Sequence, residues 1–213
     1  MTHLDAPENP QPAPPVPPDP PEGATNPWRL RDFRLLWVGR LAAVFGIQVQ
    51  SSALLWQVYE IARQDHPVEQ ASLYLGLVGL VQFLPLLAFT LPAGEMADRR
   101  DRKLTVVACV GLEMLCAVAF LAMALHGDPP LWGLLSVAAF FGATRAFLAP
   151  ASQALLPMVV GRPGLPRAIV AQSLAFQTGA IAGPALGGVI VGLAVPAAYA
   201  TSVMMFLIGA TCL

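Results

Sequence analysis

The chain has 213 residues, 56% of them hydrophobic and 12% charged, with a mean hydropathy of +0.62; a soluble domain carries roughly 25% charged residues, so this composition predicts lipid as the solvent. A net charge of -1 without any basic stripe excludes nucleic acid as a partner. Cys109, Cys116 and Cys212 all lie inside apolar runs, where they act as small hydrophobes without the spacing of a metal site or a disulfide framework.

Residues 1–27, which include QPAPPVPPDPPEG, cannot bury enough apolar surface to offset their ordering entropy and predict a disordered cytoplasmic tail of polyproline II character. Docking to an SH3-like partner is the functional alternative to a plain flexible tail. No apolar core follows Met1, so a cleavable signal peptide is not expected and the first span serves as the targeting signal. An amphipathic entry follows at Trp28 to Arg34.

The apolar runs beyond it cover 34–60, 73–93, 104–125, 131–159, 167–193 and 197–213, each near or above the roughly 20 residues that a bilayer requires. They predict an all-α membrane protein, a transmembrane bundle over 28–213 with about six spans. The breaks RQDHPVEQ, GEMADRRDRK, HGDPP, GRPGLPR and the Val195-Pro196 corner are short enough to join neighbouring helices as antiparallel hairpins. The last run ends at Leu213 with no basic loop after it, which reads as a truncated span.

Positive charge sets the orientation, because short loops rich in Lys and Arg stay cytoplasmic. Arg29, Arg31 and Arg34 precede the first span, Arg99, Arg100, Arg102 and Lys103 separate the second from the third, and Arg162 and Arg167 separate the fourth from the fifth. The opposite loops hold Arg63 alone. The N-terminus is therefore expected in the cytoplasm of a multi-pass protein of the plasma membrane, the inner membrane of a bacterium.

Two motifs stand out. In the second-to-third loop, Gly94 permits close approach of a helix end, Asp98 can accept from a helix N-terminus or an arginine, and Arg102 and Lys103 fix topology. Charge accumulation alone explains the cations but not Gly, Asp and Arg at these offsets. In the fifth run, Gly179, Gly183, Pro184, Gly187 and Gly188 combine small residues at four-residue spacing with a proline, which predicts a closely packed, kinked helix.

The first motif resembles the signature loop of the major facilitator superfamily: Gly94, three residues, Asp98-Arg99, two residues, then the basic pair Arg102-Lys103. Asp101 stands where a glycine is usual. The second motif resembles one in the fifth helix of superfamily exporters. FRLLWVGRLAAVFG, LGLVGLVQFLPLLAFTLPAGEMADRRDRK and TRAFLAPASQALLPMVV extend the similarity over 28–213 and resemble the enterobactin-exporter-like and drug-efflux branch. The resemblance implies the N-terminal six-helix half of a secondary transporter, a missing C-terminal half, and proton-coupled export by antiport of a siderophore or an amphipathic drug-like compound, with a role in drug resistance.

Polar residues inside spans are costly in lipid and mark pairing or function. Glu113 and Arg145 fall at similar depths in the third and fourth spans, where they can pair across the hairpin. As functional groups they are a proton-coupling carboxylate and a cavity cation; as structural groups, an ion pair. Arg40 is expected to snorkel to the cytoplasmic interface. Gln48, Ser51, Ser52 and Gln57 in the first span, with Ser173 and Gln177 in the fifth, suit a water-accessible cavity or interhelical hydrogen bonds. Of these, Gln48, Ser52 and Gln177 join Glu113 and Arg145 as the candidate substrate or proton path.

An intramembrane serine protease requires a Ser and a His buried together, and His3, His66 and His126 all lie outside the middles of the spans. Enzymatic activity, a cofactor and a metal site are therefore not expected. A truncated, non-transporting remnant of a transporter is the alternative to an exporter. The expected partners are the bilayer, protons and a small-molecule substrate.

Overall fold

The computed structural model describes residues 26–99, 101–127 and 129–213, with the backbone alone for 96–99. The tail expected over 1–27 falls almost entirely outside this range. The described residues are all helical or in short connections. A 3-10 turn at Pro27–Arg29, capped by Asn26 Oδ1 accepting from Trp28 N at 3.1 Å, leads into α1, Arg31–Asp65. Then come α2 (Val68–Arg99), α3 (Arg102–Leu125), α4 (Leu131–Leu193) and α5 (Val195–Cys212). All five are long and apolar enough to cross a membrane.

The helices exceed the apolar runs that predict them. RQDHPVEQ shrinks to a link at His66 and Pro67 because α1 continues through Asp65 and α2 begins at Val68. GEMADRRDRK, expected as a loop, is mostly helix. Glu95, Met96 and Ala97 are good helix formers, and α2 runs on to Arg99. The next helix starts on Asp101, whose side chain accepts from Leu104 N at 3.0 Å. A side-chain acceptor at this position satisfies one of the open N–H groups of a helix start. The residue that departs from the signature motif is thus the cap of α3.

Residues expected as spans four and five form one continuous element, α4. A straight helix of 63 residues would be about 95 Å long, some three times the ~30 Å hydrocarbon core, but α4 is broken at Gly161, where φ is 71° and ψ 170°. Only glycine adopts that backbone without strain. Pro163 and Pro166 follow in the first turns of the second arm, where a missing N–H costs least. Pro184 sits in helical backbone.

The contacts fix the course of the two arms, 131–160 and 162–193. Trp37, Val44, Gln48 and Ser52 of α1 meet Ala171, Gly179, Gly183 and Gly187 in that order, so the second arm is parallel to α1. The first arm runs the opposite way: Leu131 lies beside Ala62 and His66 at the end of α1, whereas Ser152 reaches Arg40 near its start. Along α2, Gln82 and Phe89 meet Gly142 and Phe147, parallel to that first arm. Helix α5 is antiparallel to α1, with Tyr199 on Gln57, Phe206 on Gly46 and Cys212 on Gly39.

Helix α1 occupies the centre, with 61% of its most apolar window buried against 6% for α2, which therefore lies at the periphery. The core is built from Phe33, Leu54, Phe120, Leu134, Phe141 and Phe206, none of them exposed. Phe120 stacks on Tyr199 with ring centroids 5.4 Å apart. Tyr199 Oη donates to Gln57 Oε1 at 2.8 Å, so the phenol's polar end is satisfied inside the bundle.

Candidate functional site

Among the described residues, three groupings hold predicted site residues. The first centres on Glu113, which α3 presents inward one turn beyond Cys109 and Val110. Its side chain has no exposure and neither carboxyl oxygen has a hydrogen-bond partner. Arg145 of α4 and Arg40 of α1 are its charged neighbours. The expected pairing of Glu113 with Arg145 is thus electrostatic and lacks a hydrogen bond; the Arg145 guanidinium instead stands over the Phe141 ring, 5.8 Å from its centroid. Gln50 of α1 is equally buried and both its amide atoms also lack partners. Orphaned buried polar groups of this kind are costly in lipid.

The second group lines a cavity of about 530 Å³ between the start of α1 and the two arms of α4. Arg40, Ser152, Gln172, Ser173 and Gln177 supply its polar wall. Gln177 and Ser173, predicted on one face, are both exposed to it. Arg40 does not snorkel freely. Its Nη1 donates to Ser152 Oγ at 2.9 Å, and Ser152 in turn donates to Leu148 O at 2.7 Å. Gln172 Oε1 is buried and accepts no hydrogen bond. Sequence reading passed over Ser152 and Gln172 because nothing local distinguishes them. The position of Arg40 well inside the span was the available signal.

The third group is the seam between α1 and the second arm of α4. A Cβ on Gly179 would overlap the Val44 side chain, one on Gly183 would come within 2.5 Å of Gln48 Cβ, and one on Gly187 within 2.9 Å of Ser52 Oγ. Gln48 and Ser52 therefore serve this helix contact, with Ser52 Oγ donating to Gln48 O at 3.0 Å, and do not line the cavity beside Arg40. Pro184 and Gly188 face away, and a Cβ on Gly188 meets nothing within 4 Å.

The residues of the loop motif divide. Arg102 Nη1 donates to Ala154 O at 3.3 Å, tying the start of α3 to the first arm of α4, and Lys103 is exposed. Gly94 has open space where a Cβ would stand, so the expected close approach of a helix end there is not seen among the described residues. The side chains of Asp98 and Arg99 lie outside the described part. Arg102, bonded to Ala154, and Arg40, bonded to Ser152, lie toward the end of the first arm that leads to Gly161.

An assembly of five long apolar helices with polar groups buried among them is that of a polytopic membrane protein. Residues 22–213 match the family model described as transmembrane secretion effector, and the chain belongs to that family of major facilitator transporters. It is also similar to Macrolide efflux protein A of Streptococcus pyogenes, 25% identical over 138 residues, which cover 63% of this chain and 31% of that protein. Macrolide efflux protein A of the serotype M6 strain of the same species gives the same figures. The matched region thus spans about a third of the length of these curated relatives.

Proposed function

We propose that this chain forms the N-terminal six-span half of a proton-coupled exporter of an amphipathic, drug-like compound or a siderophore. The two arms of α4, running in opposite directions about Gly161, supply the fourth and fifth crossings of that reading. The clustering of Arg102, Arg162 and Arg167 at one end supports a cytoplasmic N-terminus in the plasma membrane. Transport would proceed by alternating access, with two six-helix halves rocking about a central site and Asp98, Arg99 and their neighbours latching the cytoplasmic side against the second half.

The observation that carries the coupling is Glu113, a carboxyl with no exposure and no hydrogen bond, near cations on two other helices. A buried carboxyl without fixed partners can exchange a proton as the bundle moves. A structural ion pair would bind its oxygens directly. The name of the streptococcal relative makes a macrolide the first cargo to try. Energised cells expressing the whole protein should lower internal macrolide, dye or siderophore, and an uncoupler should abolish the effect; no change with any of the three would sink the proposal.

A further inference from the structure

We propose that the cavity between α1 and the two arms of α4 binds an amphiphile carrying one acidic group, with Arg40 as the residue that receives the acid. Polar and apolar residues line a single space. Arg40 and Ser152 meet in it, and Leu156, Ile169 and Phe176 line it as well. At about 530 Å³ the volume falls in the range of drug-sized ligand sites, roughly 300–1,000 Å³.

Two observations point to a ligand beyond the presence of a cation. Arg40 spends one N–H on Ser152 Oγ, and a guanidinium has five donors in a planar fork suited to a carboxylate. Ser173 and Gln177, on one face of the second arm, are both exposed to the same cavity. An acid with a hydroxyl or amide near it would meet both, its carboxylate accepting from Arg40 and its second polar group bonding Ser173 or Gln177. Glu113 is the negative charge that Arg40 otherwise faces, so a bound acid competes with it for the same cation.

The site rests on the exporter reading only for the direction in which cargo moves; binding itself is separable. The test uses the whole chain in phosphatidylcholine vesicles with two probes, dansyl-undecanoate and its uncharged methyl ester. Trp37, whose Nε1 donates to Ala171 O at 2.8 Å beside Gln172, is the energy-transfer donor, and Trp37→Phe gives the background. The acid should bind about tenfold more tightly than the ester, the preference should vanish in Arg40→Gln with ester affinity kept within about twofold, and Arg40→Lys should retain part of it.

Equal affinity of acid and ester in the unmodified chain overturns the site without reference to any variant, as does a preference unchanged in Arg40→Gln. Adding phosphatidylglycerol should leave the signal intact; its loss would identify a lipid headgroup as occupant and overturn a free amphiphile. Acid-selective binding without proton-driven efflux removes the exporter reading alone. Efflux without acid selectivity removes this site alone.

Discussion

Gly183 of α4 lies against Gln48 of α1 so closely that a Cβ on the glycine would stand 2.5 Å from the Gln48 Cβ. Together with Gly179 on Val44 and Gly187 on Ser52, this contact lets two parallel helices approach in lipid, where packing must replace the hydrophobic drive that holds soluble bundles. Gly183→Leu should destabilise the bundle by about 1–3 kcal/mol or more, the cost of overpacking, and lower its melting temperature in detergent. Gly188→Leu, one turn away and facing open space, should melt like the parent. Equal losses at both positions would contradict the seam.

Gly142 makes a still tighter approach, since a Cβ there would overlap the backbone of Gln82. Backbone has no rotamer to move aside. Gly142→Ala should therefore detach α2, the peripheral helix, and raise proteolysis or cysteine labelling along 68–95 while α1 and α5 stay protected. Unchanged accessibility of α2 would count against the contact.

Tyr199→Phe removes the hydrogen bond to Gln57 and keeps the stacking on Phe120. Interhelical hydrogen bonds in membranes contribute about 0.6 kcal/mol, rarely beyond 1.7. A double-mutant cycle with Gln57→Leu should return a coupling of that size, and a coupling of zero would show that the pair does not hold α5 to α1.

Asp101→Ala should cost about 0.5–2 kcal/mol as a lost helix cap, whereas Asp101→Gly should cost only a few tenths. Both follow from the 3.0 Å bond to Leu104 N and are read from thermal melts. A glycine variant as damaged as the alanine variant would point to a role for Asp101 other than capping.

Hydropathy located the helices well where their ends coincide with polar residues. The run 104–125 becomes α3 at Arg102–Leu125, and the break GRPGLPR contains Gly161, the point where α4 leaves helical backbone. The four-residue glycine spacing foretold a close helix contact, and the partner is α1. Helix continuation through 94–99 escaped, because charge and hydropathy report solvent preference and not backbone conformation. The bond between Arg40 and Ser152 escaped too: its members are 112 residues apart, and only the fold brings them together. Gln48 and Gln177 look alike as polar residues in apolar runs, yet one fills a seam and the other lines a cavity.

In the proposed mechanism, Glu113 couples proton movement to export. The most direct measurement of this coupling is cargo uptake into inverted vesicles carrying the whole protein, driven by an imposed proton gradient, for the parent and for Glu113→Gln. The glutamine keeps the shape and removes the exchangeable charge, so gradient-driven uptake should fall to background while cargo binding and the amount of folded protein persist. Gradient-driven uptake undiminished in Glu113→Gln would contradict a coupling role for this carboxyl.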